Sequence, residues 1–264
     1  MKRIDLQKVE HNISIGDTCA QIEPNVNEDS LFYLDGELIG FYMKRMPELM
    51  CKLASVADAE FNSDRVPKSQ MTRSAGVMKS YKEHHNYTTG NQVKQMSCII
   101  GSVPPRPHMR RNYCSRSSVH AHPDAQVFIK AMLKLAKESE MLIREIMPEQ
   151  YERQYKLLQA VPEKWRFGNL FTSSISNYNI SAAYHRDTGN IVGACNVIIC
   201  KKVNAVGGNF NLPEYGATIG QEDCSVLVYP AWLSLHGVTP IVPTFEGGYR
   251  NTLIFYPLKA FMKH

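Results

Sequence analysis

Two histidines and an aspartate are spaced in this sequence as ligands of one metal ion. His185 and Asp187 flank a single arginine at the end of the apolar run Ile180–His185, and His236 follows in a second strand-like run. Residues i and i+2 of a β-strand project from the same face, so His185 and Asp187 can hold one ion while Arg186 points away. Two imidazoles and one carboxylate form the facial triad of non-haem Fe(II) oxygenases, which leaves the remaining metal positions open. We therefore expect His185, Asp187 and His236 to bind Fe(II).

An arginine follows the triad in the sequence and could bind the carboxylate of a small molecule that also binds the metal. Arg250 opens the run Arg250–Tyr256, and a turn-rich insert precedes it that would fold this strand back beside the strand of His236. A guanidinium suits bidentate binding of a carboxylate, and the distal carboxylate of 2-oxoglutarate is the obvious guest. Thr252, on the same face of the strand, could donate a second hydrogen bond. The ordered set predicts a 2-oxoglutarate-dependent dioxygenase, an oxidoreductase that also consumes O₂.

Composition bounds the class of protein. The chain has 264 residues, of which 44% are hydrophobic, and it contains no apolar run near the roughly 18 residues that a membrane span needs. The N-terminal residues lack the apolar centre of a signal peptide, so we expect an intracellular, cytoplasmic protein with no membrane partner. The seven cysteines are odd in number and form no CxxC pair, which indicates free thiols rather than a disulfide framework or a zinc ribbon.

Positive charge is concentrated in two stretches that contain no acid. The net charge is only +5, but residues 65–82 and 102–116 are basic, rich in loop-forming residues and interleaved with tyrosines. Such loops are typical of phosphate-backbone binding, and solvated surface charge is the alternative. The residues that we expect to contact DNA are Arg65, Lys68, Arg73, Arg106, Arg110, Arg111 and Arg116.

The hydrophobic periodicity predicts an α+β fold. An Asp-Gly pair centres a hairpin over Leu31–Met43, helices are predicted at Pro47–Glu60, Ala125–Met147 and about Glu149–Gln159, and Cys98–Val103 is a strand candidate. We expect a single domain over 1–264, in which an α-rich N-terminal half (1–163) packs against a barrel or jelly-roll core (164–264). The strands predicted in that core are Gly168–Ser174, Ile180–His185, Ala194–Lys201, Ser225–Tyr229, Leu235–Thr239 and Asn251–Tyr256.

Two segments of the β-rich half resemble the ten-eleven-translocation/J-base-binding (TET/JBP) oxygenases. His185–Asn190 (HRDTGN) matches their HxD motif with an Asn three residues after the Asp, and Arg250–Tyr256 (RNTLIFY) matches their R-x-[ST]-L-[VI]-F-Y motif after the distal His. The resemblance covers roughly residues 165–258. The length of the chain fits the small stand-alone members found in bacteriophages, which would act in the host cytoplasm, better than the large animal enzymes.

The resemblance implies a double-stranded β-helix that oxidises the 5-methyl group of a pyrimidine in DNA. It favours 5-methylcytosine, converted to 5-hydroxymethylcytosine with or without further oxidation. A methyl group inside a duplex is out of reach of such a pocket, so the target base is expected to be flipped out. Carried over position by position, Fe(II) is bound by His185, Asp187 and His236, 2-oxoglutarate by Arg250 and Thr252, and the target base by Asn190 through a hydrogen bond and by Tyr256 through packing.

The chain departs from the family in two respects. It lacks the cysteine-rich, zinc-binding region of the animal enzymes, so the duplex must be held otherwise, for which the basic loops are candidates. No residue of the motifs is an assured partner for the C1 carboxylate of 2-oxoglutarate, and Arg166, at the start of the β-rich half, is the candidate that we name for this role.

Several alternatives stay open at the level of the sequence. Thymine presents the same 5-methyl group as 5-methylcytosine, and the triad does not distinguish DNA from a protein or a small metabolite as substrate. An AlkB-like demethylase would carry a second arginine six residues after Arg250, where Tyr256 stands. A catalytically inert DNA-binding jelly roll is a different class of protein, and the intact set of ligands argues against it.

Overall fold

The fold is built around two facing β-sheets. The structure, a computed structural model, describes residues 1–70, 94–107 and 110–262. Its strands are β1 (Lys2–Asp5), β2 (Ser30–Leu34), β3 (Glu37–Met43), β4 (Ser69–Gln70), β5 (Met96–Val103), β6 (Ser115–Arg116), β7 (Ser173–Tyr178), β8 (Ala182–His185), β9 (Asn196–Val203), β10 (Ala205–Gly207), β11 (Phe210–Leu212), β12 (Ala217–Ile219), β13 (Val226–Tyr229), β14 (His236–Val238), β15 (Ile241–Pro243) and β16 (Tyr249–Tyr256).

The larger sheet combines strands from both halves of the chain. Its order is β1-β2-β3-β13-β9-β16-β7-β5-β4, with β6 paired to β5, and a smaller sheet has the order β12-β11-β14-β8. Strands β10 and β15 form a separate ribbon. Side chains of both sheets share one buried cluster that includes Ile198 and Tyr229 from the larger sheet and Phe210 and Leu212 from the smaller one. This sandwich, with helices on its outer face, confirms the prediction of an α+β fold with a jelly-roll core.

Three α-helices among the described residues cover the outer face of the larger sheet or lie beside it. They are α1 (Glu48–Asn62), α2 (Gln126–Ile146) and α3 (Pro148–Leu158). Helix α2 buries apolar residues at three- and four-residue spacing, and the Phe128 ring lies 6.3 Å from the ring of Phe61 on α1. Pro148 ends the helical run of α2 and occupies the first turn of α3, where its missing N–H costs nothing.

Alternate side chains of β16 point towards the helices and towards the smaller sheet. Leu253 and Phe255 belong to the core cluster that contains the helices, whereas Thr252, Ile254 and Tyr256 line the space between the sheets. Successive side chains of a strand point to opposite faces, so one eight-residue strand serves both layers. The polar residues at 250 and 252 are thereby directed at the smaller sheet.

The N-terminal half contributes more than helices to this architecture. The predicted hairpin is confirmed as β2 and β3, with positive φ angles at Asp35 (50°) and Gly36 (84°) in its turn. Strand β3 pairs with β13, and β5 pairs with β7, so strands of the N-terminal half flank the C-terminal strands on both sides. The α-rich description of residues 1–163 therefore leaves out part of the larger sheet.

One predicted strand begins five residues later in the chain than expected. The apolar run Gly168–Ser174 was expected to be extended, but β7 begins only at Ser173. The preceding residues form a tight turn in which Gly168 has a φ of 75° and the carboxylate of Glu140 accepts the N–H groups of Asn169 and Leu170. A buried acid on α2 thus determines this turn, which the local apolar pattern does not reveal.

All seven cysteines are free, in agreement with the absence of a disulfide framework. Within the described part of the chain, no helix combines the length and the apolar character needed to cross a bilayer.

The α2–sheet core generates a stability prediction. Replacing the fully buried Phe128 with alanine should lower the free energy of unfolding by about 3–5 kcal/mol, because the ring leaves a cavity between α1 and α2. The matched control is Val127→Ala at the next position, whose side chain is 52% exposed and should matter little. Urea denaturation followed by circular dichroism measures both; equal losses would show that this cluster is not the core of the fold.

Candidate active site

The pairing of β8 with β14 brings the two predicted imidazole ligands together. His185 lies directly opposite His236 in this antiparallel pair, and their ring centroids are 4.3 Å apart. The register shifts between His236 and Val238, which is a β-bulge of the kind that re-aims side chains at functional sites. Asp187 follows directly after β8, and its Oδ1 lies 3.5 Å from Nε2 of His185. One ligand atom from each of the three residues lies within 4.8 Å of the others.

Both histidines are oriented with Nε2 towards a shared metal position. Nδ1 of His185 lies 2.7 Å from the carbonyl of Ala183, and Nδ1 of His236 lies 3.1 Å from the carbonyl of Ser234. A carbonyl accepts only, so each Nδ1 carries the proton and each Nε2 keeps its lone pair for a metal. Burial, reinforced by the neighbouring His185, lowers the pKa of His236 to about 4, so this imidazole is in the neutral form that binds metals. The donor set fits Fe(II).

The carboxylate ligand is held by two asparagines. Oδ2 of Asp187 accepts hydrogen bonds from Nδ2 of Asn196 (3.0 Å) and from Nδ2 of Asn190 (3.3 Å). Nδ2 of Asn190 also donates to Oδ1 of Asn196 at 2.8 Å. These bonds occupy Oδ2 and leave Oδ1 on the side of His185. The sequence did not reveal Asn196, since it belongs to no motif and approaches Asp187 only through the fold.

A cavity of about 540 Å³ between the two sheets contains the triad. The apolar part of its wall includes Ile99, Ile175 and Ile254 from three neighbouring strands of the larger sheet. Of the eight residues that the sequence predicted for metal, co-substrate and base, seven line this one cavity: His185, Asp187, His236, Arg250, Thr252, Asn190 and Tyr256.

Arg250 is a deeply buried cation in the wall of the cavity. Its side chain is 3% exposed, its Nε has no hydrogen-bond partner, and no ion pair among the residues that the structure describes includes it. Burial lowers its pKa, although a guanidinium keeps its charge in proteins. A buried unpaired charge is expensive, and a carboxylate that enters the cavity would compensate it. Arg250 therefore fits the distal carboxylate of 2-oxoglutarate.

The surroundings of Arg250 reinforce this electrostatic character. Lys202 on β9 lies directly opposite Arg250 in the sheet, and its Nζ donates to the carbonyl of Gly207 at 2.9 Å. Burial lowers the pKa of Lys202. Thr252 is buried, and its hydroxyl donates to the carbonyl of Asn177 at 3.3 Å. Lys202 therefore adds a second positive charge beside Arg250 in the sheet, although it does not line the cavity. The sequence alone did not reveal Lys202, because the strand pairing that brings it next to Arg250 has no local signature.

Arg166 does not reach the cavity. Its Nε donates to the carbonyl of Val161 at 2.8 Å, and its other nitrogens contact the side chain and carbonyl of Gln159 at 3.3 and 3.4 Å. Arg166 follows the short 3-10 turn Glu163–Trp165, and it satisfies carbonyl groups left free where α3 ends. Its proposed role at the C1 carboxylate is therefore corrected: the structure uses this side chain to close a helix.

In the first basic stretch, the two predicted DNA-contact residues that the structure describes, Arg65 and Lys68, have partners within the protein. Arg65 forms a two-pronged ion pair with Glu60, with N–O distances of 2.9 and 2.6 Å. Nζ of Lys68 donates to the carbonyls of Phe61 and Ser63 and so caps the end of α1. Arg73 lies outside the described residues. Arg65 and Lys68 thus have partners within the chain, and DNA contact by either residue stays a prediction.

The second basic stretch forms a surface that we call the basic ridge, defined as Arg106, Arg110, Arg111, Arg116, Lys164 and Arg166. Arg106 and Arg111 pair through their backbones, and Arg116 donates to the carbonyl of Lys164 at 2.6 Å. No ion pair of the described residues includes a member of the ridge. Arg116 also pairs with Ser102 on β5, the strand that supplies Ile99 to the cavity wall. Strand β5 thus links the ridge to the wall of the cavity, although no ridge residue lines the cavity itself.

Glycine is required beside Arg250. Gly208 has a φ of +68°, and a Cβ at this position would touch Cδ of Arg250 and lie 2.8 Å from its Nε. Gly208→Ala should therefore displace the guanidinium and raise the 2-oxoglutarate concentration for half-maximal turnover by about tenfold or more, as a lost charge-assisted pair would.

The matched control for this variant is Gly247→Ala. Gly247 has a similar φ of +76°, but nothing lies within 4 Å of the added Cβ, so the control isolates the backbone strain of about 1–2 kcal/mol. Steady-state kinetics at saturating iron compare the two variants. If both variants kept the wild-type requirement for 2-oxoglutarate, Arg250 would not bind the co-substrate.

Comparison with known proteins gives the family. The family model Tet_JBP, the oxygenase domain of the 2OGFeDO superfamily, matches residues 106–259, more than half of the chain. No curated protein matches the sequence. Among solved structures, NgTET1 in complex with 5mC DNA is similar at 12% identity and a TM-score of 0.57, with 95% of this chain and 84% of that chain covered.

Other oxygenases are similar at lower scores. An oxidoreductase of the 2OG-Fe(II) oxygenase family from Burkholderia pseudomallei has 14% identity and a TM-score of 0.45, with 83% of this chain and 84% of that chain covered. At 12% identity the likeness to NgTET1 shows a shared fold, and the family match carries the assignment. The chain belongs to the Tet/JBP family of the 2OGFeDO superfamily and is a 2-oxoglutarate-dependent dioxygenase that uses Fe(II) and O₂.

Proposed function

We propose that this dioxygenase hydroxylates the 5-methyl group of 5-methylcytosine in DNA to give 5-hydroxymethylcytosine. The observation that carries the proposal is the orientation of the Asn190 amide in the cavity that holds the metal ligands. Its Nδ2 donates to Asp187 and Asn196, so Oδ1 is the atom left to accept a hydrogen bond from a substrate.

An acceptor at this position favours cytosine over thymine. The 4-amino group of 5-methylcytosine can donate to Oδ1 of Asn190, whereas O4 of thymine would face that oxygen as a second acceptor. Turning the amide over would place its oxygen against the carboxylate of Asp187, which also only accepts. The substrate preference is thereby linked to the metal ligand through one side chain.

The far end of β16 suits a flat ring. Tyr256 lines the cavity together with the apolar side chains of Ile254 and Leu258, and an aromatic ring against apolar walls stacks well with a base. The methyl group would then point towards the triad. The same walls keep water away from the reacting carbon.

The chain's own residues position the reactants. Fe(II), with 2-oxoglutarate and O₂, supplies oxidising chemistry in which 2-oxoglutarate is decarboxylated to succinate and the methyl group gains a hydroxyl. His185, Asp187 and His236 would hold the iron and leave its other positions open, while Arg250 and Thr252 bind the distal carboxylate of 2-oxoglutarate. Asn190 and Tyr256 orient the base.

The basic ridge supports DNA as the carrier of that base. It has six cations, and Tyr113, between Arg111 and Arg116, is 64% exposed and available for stacking. Phosphate contacts on the ridge would hold the duplex while the target base is flipped into the cavity. NgTET1, which has a similar fold, is seen in complex with 5mC DNA.

The proposal predicts the product. Incubation of the Fe(II)-loaded protein with 2-oxoglutarate and DNA that contains 5-methylcytosine should yield 5-hydroxymethylcytosine and one succinate for each hydroxylation, measured by mass spectrometry of the nucleosides. Unmethylated DNA tests thymine as the substrate. His185→Ala should lose turnover and keep DNA binding, because the ridge lies apart from the metal position. Oxidation of thymine, or no oxidation of either base, would overturn the substrate assignment.

The ridge predicts a salt dependence. Arg110→Gln and Lys164→Gln should each weaken binding to a 5-methylcytosine duplex and reduce the slope of log K against log salt by about 1, as expected when one phosphate contact is lost. Lys134→Gln, an exposed lysine on α2, is the control that removes the same charge elsewhere. Fluorescence anisotropy over a range of salt gives the slopes; identical slopes in all three variants would place the DNA on another surface.

A further inference from the structure

We propose that Arg186 and Glu214 are positioning residues for the metal site, because they tie the strand of His185 and Asp187 to the segment that orients His236. Arg186 is the middle residue of the HxD motif and contributes no metal-binding atom itself. Arg186 and Glu214 would act on the assembly of the metal site, so their role would be the same for any substrate.

The guanidinium of Arg186 makes two contacts across the site. One nitrogen donates to the carbonyl of Leu233, and another pairs with the carboxylate of Glu214. Both side chains are substantially buried, with 33% of Arg186 and 19% of Glu214 exposed. Charged hydrogen bonds in such surroundings are stronger and less screened than those on an open surface.

Glu214 completes the connection. Its second carboxylate oxygen accepts the N–H of Leu235 at 2.9 Å. Arg186 and Glu214 therefore hold both sides of Ser234, whose carbonyl in turn contacts Nδ1 of His236 at 3.1 Å. The hydroxyl of Ser234 is also bonded, at 2.7 Å, to the hydroxyl of Tyr229.

The segment that these contacts hold supplies the carbonyl that accepts a hydrogen bond from Nδ1 of His236. The carbonyl of Ser234 fixes which nitrogen of His236 carries the proton and where the ring points. A displaced Ser234 would turn Nε2 of His236 away from Oδ1 of Asp187. The N–H of Asp187 also donates to the carbonyl of Ala231 at 3.1 Å. The loop that leads to His236 therefore contacts Asp187 as well.

The sequence alone gives no sign of this role. Glu214 lies in the short 3-10 turn Pro213–Tyr215, distant along the chain from Arg186 and outside every motif. Its carboxylate reaches Arg186 because β11, which ends just before this turn, pairs with β14 in the smaller sheet.

The test is the affinity of the apo protein for Co(II), measured by isothermal titration calorimetry. Glu214→Gln and Arg186→Met should each raise the Kd for Co(II) by about tenfold or more, as the loss of outer-shell partners does at other metal sites. The double variant should bind Co(II) about as weakly as either single variant, because the two residues act through one connection.

A matched control separates positioning from general stability. Lys201 and Asp223 form an ion pair at 2.8 Å with comparable burial, 10% and 44% exposed, and neither residue lines the metal cavity. Asp223→Asn should lower the melting temperature of the apo protein and leave the Kd for Co(II) within twofold. An unchanged Kd in folded Glu214→Gln, with a melting temperature lowered as in the control, would overturn the proposal.

A milder variant decides the question if Arg186→Met and Glu214→Gln fail to fold. Arg186→Lys keeps the positive charge, but a single ammonium cannot replace the two separate contacts of the guanidinium with the carbonyl of Leu233 and the carboxylate of Glu214. It should raise the Kd for Co(II) by about threefold or more. A wild-type Kd in this variant would overturn the proposal, because the metal site would not need these two contacts to place His236.

Discussion

The antiparallel pairing of β8 with β14 is the constraint on which this active site depends. It sets His185 opposite His236 and places Asp187 at the end of the same strand. These two strands are short, and hydrogen bonds between them would hold imidazoles only loosely. The surrounding side chains complete the geometry: carbonyls fix both Nδ1 atoms, two asparagines fix the carboxylate, and the Arg186–Glu214 pair holds the segment before His236. The metal site is therefore a property of the smaller sheet together with its connecting turns.

The larger sheet forms the cavity wall opposite the metal ligands and contributes the positive charge of Arg250. Arg250 and Thr252 face the cavity because β16 alternates, and the intervening Leu253 anchors the same strand to the core under the helices. A buried guanidinium with no carboxylate partner among the described residues lowers the stability of the protein, and a dicarboxylate co-substrate would offset that cost on binding. Ligand binding and stability would thus oppose each other at Arg250, as is common where a site receives a charged ligand.

Much of the site could be predicted from the sequence, because its residues follow strand periodicity. The spacing of His185 and Asp187, and of Arg250 and Thr252, directly encodes a shared face. The predicted helices also agree with α1, α2 and α3 to within a few residues, since their apolar stripes are long. Asn196 and Glu214 escaped prediction because each reaches its partner at the site through tertiary contacts with no local signature. Arg166 was misassigned for the same reason: its position at the start of the β-rich half does not reveal that it closes α3. The three-residue strands β10, β11, β12 and β15 are too short for a periodic signal.

One cavity between the two sheets is expected to hold both iron and 2-oxoglutarate. This expectation can be tested with a crystal structure of the protein grown without oxygen in the presence of 2-oxoglutarate and Mn(II), as a stand-in for Fe(II). We expect the metal on Nε2 of His185, a carboxylate oxygen of Asp187 and Nε2 of His236, with the distal carboxylate of 2-oxoglutarate on the guanidinium of Arg250. A metal bound by other residues, or 2-oxoglutarate with its distal carboxylate away from Arg250, would contradict it.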